Sequence, residues 1–458
     1  MVFRLLALAT VIGCASEVSR DQRILDALAE DNYVWTLREP ELVAMKLKKL
    51  QRGPYEWLRG TASLYWRDAM DPGAPRAVTA FGDPLSSRVL LVGDPHPENV
   101  GTFRAADGTM FIDWNDFDAT GYGPYTIDVR RLAAGLVIAA SDATIASDLA
   151  RRVAEGYAVQ IGSLAAGTRP APITEGAHPL LDDELAKART RGDRHEGVDE
   201  VAPVIAGTRL VAFGDLEAVA LDGVIEDRLT PVGAEAADFL DRAIASWRIG
   251  RLDAAAARVK LRMRRIGPGV SSYAALRYDV VLEGATADVT DDLLIELKET
   301  RDGVIVRGVS QREVGEWETP AIRSVDTQQR LQVRPDGDAL LGPAQAGGLS
   351  LKVRDRESYQ RGLDHEDLAE LAAGTAAERA QLLDLAAILG GLLARAHGQA
   401  LTADRVQGFT VIAPLLAGRE AAFADEIALA ALADAATTVT DHTAMRARDL
   451  FVLIGGAP

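Results

Sequence analysis

Val92-Gly93-Asp94-Pro95-His96-Pro97-Glu98-Asn99, followed after a short strand by Ile112-Asp113-Trp114-Asn115-Asp116-Phe117-Asp118, is the stretch on which the reading of this chain turns. The apolar runs Val89-Leu90-Leu91-Val92 and Met110-Phe111-Ile112 read as buried strands, each ending in an acidic loop. Asp, Asn and Pro are ordinary turn formers, so these loops have a purely structural reading as strand-end caps. The density of carboxylates argues for chemistry as well. Asp113, Asp116 and Asp118 repel one another unless a cation is shared. Phosphoryl transfer needs a carboxylate to accept the acceptor hydroxyl's proton, and hard oxygen ligands to hold magnesium on the nucleotide phosphates. Asp94 is the expected base, Asn99 and Asp113 the expected magnesium ligands with Asp116 beside them, and His96 is expected to orient the loop by hydrogen bonding.

Asp94 and Asn99 stand five positions apart, the separation of base and metal ligand in kinase catalytic loops. Residues 92–114 resemble the aminoglycoside-phosphotransferase branch of the kinase-like superfamily, whose catalytic loop reads H-G-D-x-H-x-x-N and whose metal loop reads I-D-W or I-D-F; Val92 replaces the first His. Gly93 to Leu136 more closely resembles the bacterial family catalogued as domain of unknown function 2252. That family carries G-D-x-H-x-E-N-F-G, D-x-N-D-F-D and D-x-x-R-L-A-A in this order, the last matched by Asp128-Val129-Arg130-Arg131-Leu132-Ala133. Arg59-Gly60 resembles its upstream F-x-R-G element. Asp128 is expected to bond the catalytic-loop backbone, and His397 to be a packed or hydrogen-bonded helix residue.

The resemblance implies an α+β, protein-kinase-like two-lobe fold with a largely helical C-lobe. Nothing before Asp94 reads as glycine-rich loop, strand and lysine, whereas the downstream half does. Arg265-Ile266-Gly267-Pro268-Gly269-Val270-Ser271-Ser272 precedes two strand candidates, Tyr278–Glu283 and Leu293–Leu297, the second running into Lys298. The same family has a G-x-G-S-x-G loop followed by a strand ending in K-E-A. Gly267, Gly269 and Ser271 are therefore expected to cradle nucleotide phosphates through backbone N–H groups, with Lys298 pairing them. Pro268 removes one N–H and Ser271-Ser272 leaves no third glycine. The family's V-E-G-Q-R segment is matched by Val325-Asp326-Thr327-Gln328-Gln329, which offers only the shorter Asp326 to hold the lysine. Leu389 to His397 resembles the helix that precedes the catalytic loop in unpermuted phosphotransferases. The expected fold is accordingly circularly permuted, with the catalytic half first.

The chain of 458 residues is 48% hydrophobic and 26% charged, enough for one large or several ordinary cores. A net charge of −17 argues against nucleic-acid binding. The single cysteine excludes an intramolecular disulfide and a cysteine zinc cluster. It follows Arg4 and an apolar run from Leu5 to Ile12, and Val11-Ile12-Gly13-Cys14 resembles the bacterial lipobox, so the expected product is a cell-envelope protein lipid-anchored through Cys14, with a cytoplasmic chain as the alternative.

The remaining pattern divides the chain into a signal segment 1–13, a helical preface 14–53, a catalytic-loop and metal-loop part 54–160, an insert with helices 161–250, a β segment of nucleotide-lobe type 251–360 and C-terminal helices 361–458. Ala234 to Arg265 reads as one helical stretch. Three functions compete. One is an ATP- and magnesium-dependent phosphotransferase acting on a small-molecule or protein hydroxyl. Another is a catalytically weak or inactive kinase-like binding lipoprotein. A binuclear metallophosphoesterase is disfavoured by the six histidines, none in a G-N-H setting.

Overall fold

A computed structural model describes residues 18–71, 79–83, 87–191, 196–211, 213, 217–249, 258–303, 316–356 and 359–456. The expected lipid-modified Cys14 lies outside the described residues. The chain opens with helices Arg20–Arg38, Pro40–Leu50, Pro54–Gly60 and Ala62–Met70, which break where the sequence breaks. Pro40 and Pro54 each sit in a first helical turn, where the missing N–H costs nothing.

Strand β1 (Arg88–Leu91) leads into the loop around Asp94. Strands β2 (Val100–Arg104) and β3 (Met110–Trp114) form a hairpin with Val100 opposite Trp114, and β4 (Gly121–Pro124) returns antiparallel to β1. Helices Tyr125–Ala140 and Ala146–Ala165 follow, and pack with Ala376–Gln399 and Glu420–Met445 around the largest apolar core. Thr375 and Glu378 form a reciprocal capping box that starts the helix Ala376–Gln399. No helix among the described residues is long and apolar enough to cross a membrane.

After a small hairpin of β5 (Val204–Ile205) and β6 (Thr208–Arg209), the chain builds a seven-stranded antiparallel sheet. Its strands are β7 (Glu217–Val219), β8 (Ile225–Pro231), β9 (Val259–Ile266), β10 (Arg277–Leu282), β11 (Leu293–Thr300), β12 (Gly342–Ala346) and β13 (Leu349–Asp355), in the order β12-β13-β11-β10-β9-β8-β7. The molecule is thus a mixed α/β protein built around one large antiparallel sheet and a helical body.

The helical expectation for Ala234 to Arg265 holds only to Arg248, since Val259–Ile266 is strand β9. Val259, Leu261 and Met263 alternate with Lys260, Arg262 and Arg264, a period-two pattern that the alanine-rich run before it conceals. Strands β7 and β8 and the helix Ala234–Arg248, inside the segment read as an insert, belong to the sheet and its cover.

That cover explains the two faces of the sheet. Tyr278, Val280, Leu282, Ile295, Leu297, Leu351 and Val353 point to one side and pack on Leu240, Ile244 and Trp247 of the helix. The alternate positions Arg277, Asp279, Glu296, Lys298 and Lys352 line the other side with buried charge, and the half-buried Arg354 joins them. Glu296 accepts from Arg277 Nη1 and Arg354 Nε, each at 2.7 Å. Although burial opposes ionisation, these guanidinium groups hold Glu296 well below the usual carboxylate range.

Candidate functional site

Three sequence elements converge on the loop after β1. Gly93 has φ +88°, a conformation that favours glycine, and its peptide is fixed from both sides. Its N–H donates to Asp128 Oδ2 at 3.0 Å, and its carbonyl accepts from Trp66 Nε1 at 2.6 Å. Asp128 in turn meets His397 Nε2 at 3.1 Å, while His397 Nδ1 meets the Tyr157 hydroxyl at 2.9 Å. Arg131, three residues on from Asp128 and so on the same helical face, reaches Asp94. Its Nε donates to Asp94 Oδ1 at 2.7 Å and its Nη2 to the Leu58 carbonyl at 2.9 Å. The D-x-x-R spacing thus delivers one residue to the loop backbone and one to the Asp94 carboxylate.

The third element is Arg59, whose Nη1 lies 2.5 Å from Glu98 Oε2. Glu98 also meets His365 Nδ1 at 2.7 Å, and His365 stacks on Tyr55. Glu98, Asp364 and His365 bring ligating atoms within 4.8 Å of one another, but none of them lines the cavity described below. Asn99 closes the loop by donating its side-chain amide to the Asp94 carbonyl at 2.8 Å, which leaves its amide oxygen as the end suited to a cation. His96 does not act through a side-chain hydrogen bond as expected. Its buried Nδ1 has no partner among the described residues, burial keeps the ring neutral, and its carbonyl takes the Asn99 N–H at 2.9 Å.

Beyond β3 the acidic loop divides. The β2–β3 register places Asp113 on the same side of its strand as Phe111, facing the segment after Leu331 rather than the cavity. Its carboxylate accepts the N–H groups of Trp114 and Val333, each at 2.9 Å, and burial pushes its pKa up to about 7. Asp116 and Asp118 lie past the strand end and line the cavity. Lys298 Nζ is 2.5 Å from Asp118 Oδ2 and 3.8 Å from Asp116 Oδ2. Burial disfavours the ammonium, but Asp116 and Asp118 outweigh it and raise Lys298 above the ordinary lysine value. Asp118 is correspondingly held down at about 2 against its own burial, chiefly by Lys298 and Lys352. Arg323 anchors this loop by donating to the carbonyls of Asp118, Thr120 and Arg301, each at 2.8 Å. Asp326 does not pair Lys298; it accepts from Trp317 Nε1 at 2.8 Å and Arg330 Nη1 at 3.0 Å.

Lys352 stands opposite Lys298 in the β11–β13 register, with its ammonium 5.5 Å from the Phe117 ring centroid. It has no hydrogen-bond or ion-pair partner among the described residues, and burial lowers its pKa to about 8.

Beside these groups lies a cavity of about 130 Å³. Asp94, Asp116 and Asp118 form one wall and Ser271 and Ser272, from the loop between β9 and β10, another. Gly267 (φ +114°) lies against the Glu226 carbonyl, so its lack of a Cβ permits strand packing rather than ligand approach. Gly269 is near Ser272 and does not itself line the space. A third wall comes from the N-terminal helices through Asp31, Trp35 and Lys46. Lys46 is fully buried, donates to Asn32 Oδ1 at 2.8 Å, and faces the Trp35 ring at 4.9 Å while Arg301 faces it at 4.7 Å.

The structure therefore brings Asp94, Asp116 and Ser271 to one cavity with Lys298 behind the acidic wall, keeps Asn99 on the loop beneath, and turns Asp113, Gly267 and Gly269 elsewhere. Arg131, Asp118 and Lys46 were missed as site residues. The D-x-x-R helical spacing pointed to Arg131, and Lys46 falls on the stripe Leu42, Val43, Leu47, Leu50, where an ordinary surface lysine has no place.

No curated protein and no solved structure matches the chain. The sequence profile of the family described as "Uncharacterized protein conserved in bacteria (DUF2252)" matches residues 38–448. With nearly the whole chain inside that match, the protein belongs to the DUF2252 family.

Proposed function

We propose that this protein is a kinase-like phosphotransferase that moves a phosphoryl group from magnesium-bound ATP to a hydroxyl acceptor, on a two-lobe fold whose catalytic half precedes its nucleotide half in sequence. The observation that carries the reading is the meeting of Lys298 with Asp116 and Asp118 beside the Asp94 loop, because it joins two segments distant in the chain at one cavity. Asp94 is the base that takes the acceptor proton. Burial raises its pKa, opposed by Arg131 and reinforced by Asp116, which suits a group that must accept a proton. Asn99, Asp116 and Asp118 offer the hard oxygen donors that magnesium prefers, and Asp113 serves the backbone instead. Bound magnesium would neutralise charge on the phosphate oxygens. Lys298 and Lys352 orient the phosphate chain from adjacent strands, and the Ser271–Ser272 loop covers it. If the chain is exported, Cys14 tethers it to the envelope membrane.

A second reading, a binding protein without turnover, is favoured by two observations. The Asp94 carboxylate is engaged by Arg131, and a cavity of about 130 Å³ is small for a nucleotide. Equilibrium binding of ATP with and without magnesium, together with ATP hydrolysis, separates the two. The phosphotransferase reading expects magnesium-dependent binding and slow hydrolysis, with Asp94→Asn sparing binding and lowering turnover by about 10² to 10⁴. Magnesium-independent binding with no turnover selects the second.

A further inference from the structure

A different cavity, of about 290 Å³, lies over the same charged face of the sheet, between the short helix Glu196–Val201 and the segment Gln360–Gly362. Its wall carries four guanidinium groups, Arg191, Arg265, Arg356 and Arg361, and one carboxylate, Glu200. Three of the four have partners. Arg265 is held by Asp227 at 2.9 Å and Asp279 at 3.0 Å, Arg361 by Glu184 at 2.8 Å, and Arg191 lies 3.9 Å from Glu200.

Arg356 differs. Its side chain makes no hydrogen bond or ion pair with any described residue, and its Nε is buried. Beside it the Gln360 side-chain oxygen is also buried without a partner among the described residues, while its amide is tied to the Asp355 carbonyl at 3.1 Å. Arg356 is half-buried, and a donor such as its Nε taken out of water without a partner is costly, while the planar fork of a guanidinium matches tetrahedral oxyanions. Burial and Arg265 oppose the charge and outweigh the support that Asp279 and Glu296 give it, so the guanidinium is held below its ordinary value.

We infer that this arginine-lined cavity is a second ligand site, separate from the Asp94 cavity, and that it takes the phosphate group of a small molecule on Arg356, with Arg361 and Arg191 closing around it. A lone carboxylate would leave donors of the convergent guanidinium groups unused, and the polar wall offers little to an apolar body. The site also adjoins the catalytic loop. The Arg361 carbonyl accepts the Thr102 N–H at 2.8 Å, and the Leu363 N–H donates to the Val100 carbonyl at 3.1 Å, one residue past Asn99. Occupancy would therefore tie down the segment that braces β2.

The test is calorimetric titration of the full chain with inorganic phosphate and with phenyl phosphate at constant ionic strength, using chloride as the control. Saturable binding of one equivalent is expected for at least one probe, and Arg356→Met should weaken it tenfold or more. The Lys298→Met, Lys352→Met double variant should bind as before, which separates this site from the one proposed above. Tighter binding of the ester identifies an organic phosphate as the source, and equal or tighter binding of the inorganic ion identifies free phosphate. A second measurement needs no variant: phosphate should protect Arg356 of the unmutated chain from phenylglyoxal, read by peptide mass spectrometry. Absence of saturable binding, unchanged affinity in Arg356→Met, loss of binding in the double lysine variant, or unprotected Arg356 would each overturn the inference.

Discussion

Arg131 Nε lies 2.7 Å from Asp94 Oδ1, with the guanidinium wholly buried and the carboxylate close to the cavity. This one contact fixes the direction in which the proposed base can orient and opposes the rise that burial imposes on its pKa. Replacing Arg131 by Met removes the opposing charge and leaves the burial, so the Asp94 pKa should climb further. Because the base works only when deprotonated, the acid limb of the pH profile of ATP hydrolysis should shift to higher pH. Breaking a buried pair also costs about 3–5 kcal/mol of stability, to be measured by denaturant unfolding. An unshifted acid limb in a folded variant would remove Asp94 from the role of base.

Asp113 and Asp116 should separate cleanly by substitution. Asp113→Asn retains the side-chain shape and an acceptor for one of the two N–H groups, Trp114 or Val333, that the carboxylate takes on separate oxygens, and should leave magnesium-dependent ATP binding in place at some cost in stability. Asp116→Ala should abolish it. The stability of the unmutated protein should fall as pH rises between about 4 and 7. In that window the folded state keeps the Asp113 proton that the unfolded chain has released, so folding binds more protons and is disfavoured by raising pH. Asp113→Asn should flatten this slope, which amounts to at most about 1.4 kcal/mol per pH unit for one group. Loss of metal dependence in Asp113→Asn would return Asp113 to the ligand set.

The contrast between these two aspartates shows what the sequence could convey. The loop 93–99 and the strands on either side were legible because their residue types are unusual and Asn99 closes the loop on the Asp94 carbonyl five positions back. Which of Asp113 and Asp116 faces the cavity depends on the pleat and on the register of Val100 against Trp114, and a one-position difference at a strand end reverses the answer. The β9 strand was hidden because the alanine-rich run before it conceals the alternation of Val259, Leu261 and Met263 with Lys260, Arg262 and Arg264. Lys46 stands out in the sequence on an apolar helical stripe, but what it faces does not, because that depends on Trp35 and on Arg301, far along the chain.

Lys352 offers a test of the phosphate geometry. It and Lys298 are cross-strand neighbours, but among the described residues only Lys298 of the two has carboxylate partners. Lys352→Met should raise the KM for ATP by about tenfold, the equivalent of about 1.4 kcal/mol of binding, with a smaller change in kcat. Lys352→Arg should restore part of the loss. An unaltered KM in Lys352→Met would confine phosphate recognition to Lys298.

Lys46 is the most demanding case, since its burial is a cost that its contacts do not repay. Its ammonium has an amide oxygen and an aromatic face but, among the described residues, no ion pair within hydrogen-bond reach, and burial, opposed by the charge of Asp31, lowers its pKa to about 8. At pH 7 the folded protein carries this charge at a penalty. Between about 8 and 10.5 the unfolded chain binds the proton that the folded chain has lost, so stability should rise with pH across that window. Lys46→Met keeps the length of the side chain and removes the charge. It should therefore be more stable than the unmutated protein at pH 7, with the difference shrinking by pH 9.5 in urea unfolding, less the modest cost of leaving Asn32 Oδ1 without its donor. A residue that destabilises the fold while lining a cavity is a candidate for function, so the same variant should lose ATP hydrolysis or acceptor binding. A Lys46→Met protein that is less stable at pH 7 yet fully active would show that the lysine is a structural strut, and that the N-terminal helices enclose the cavity without taking part in its chemistry.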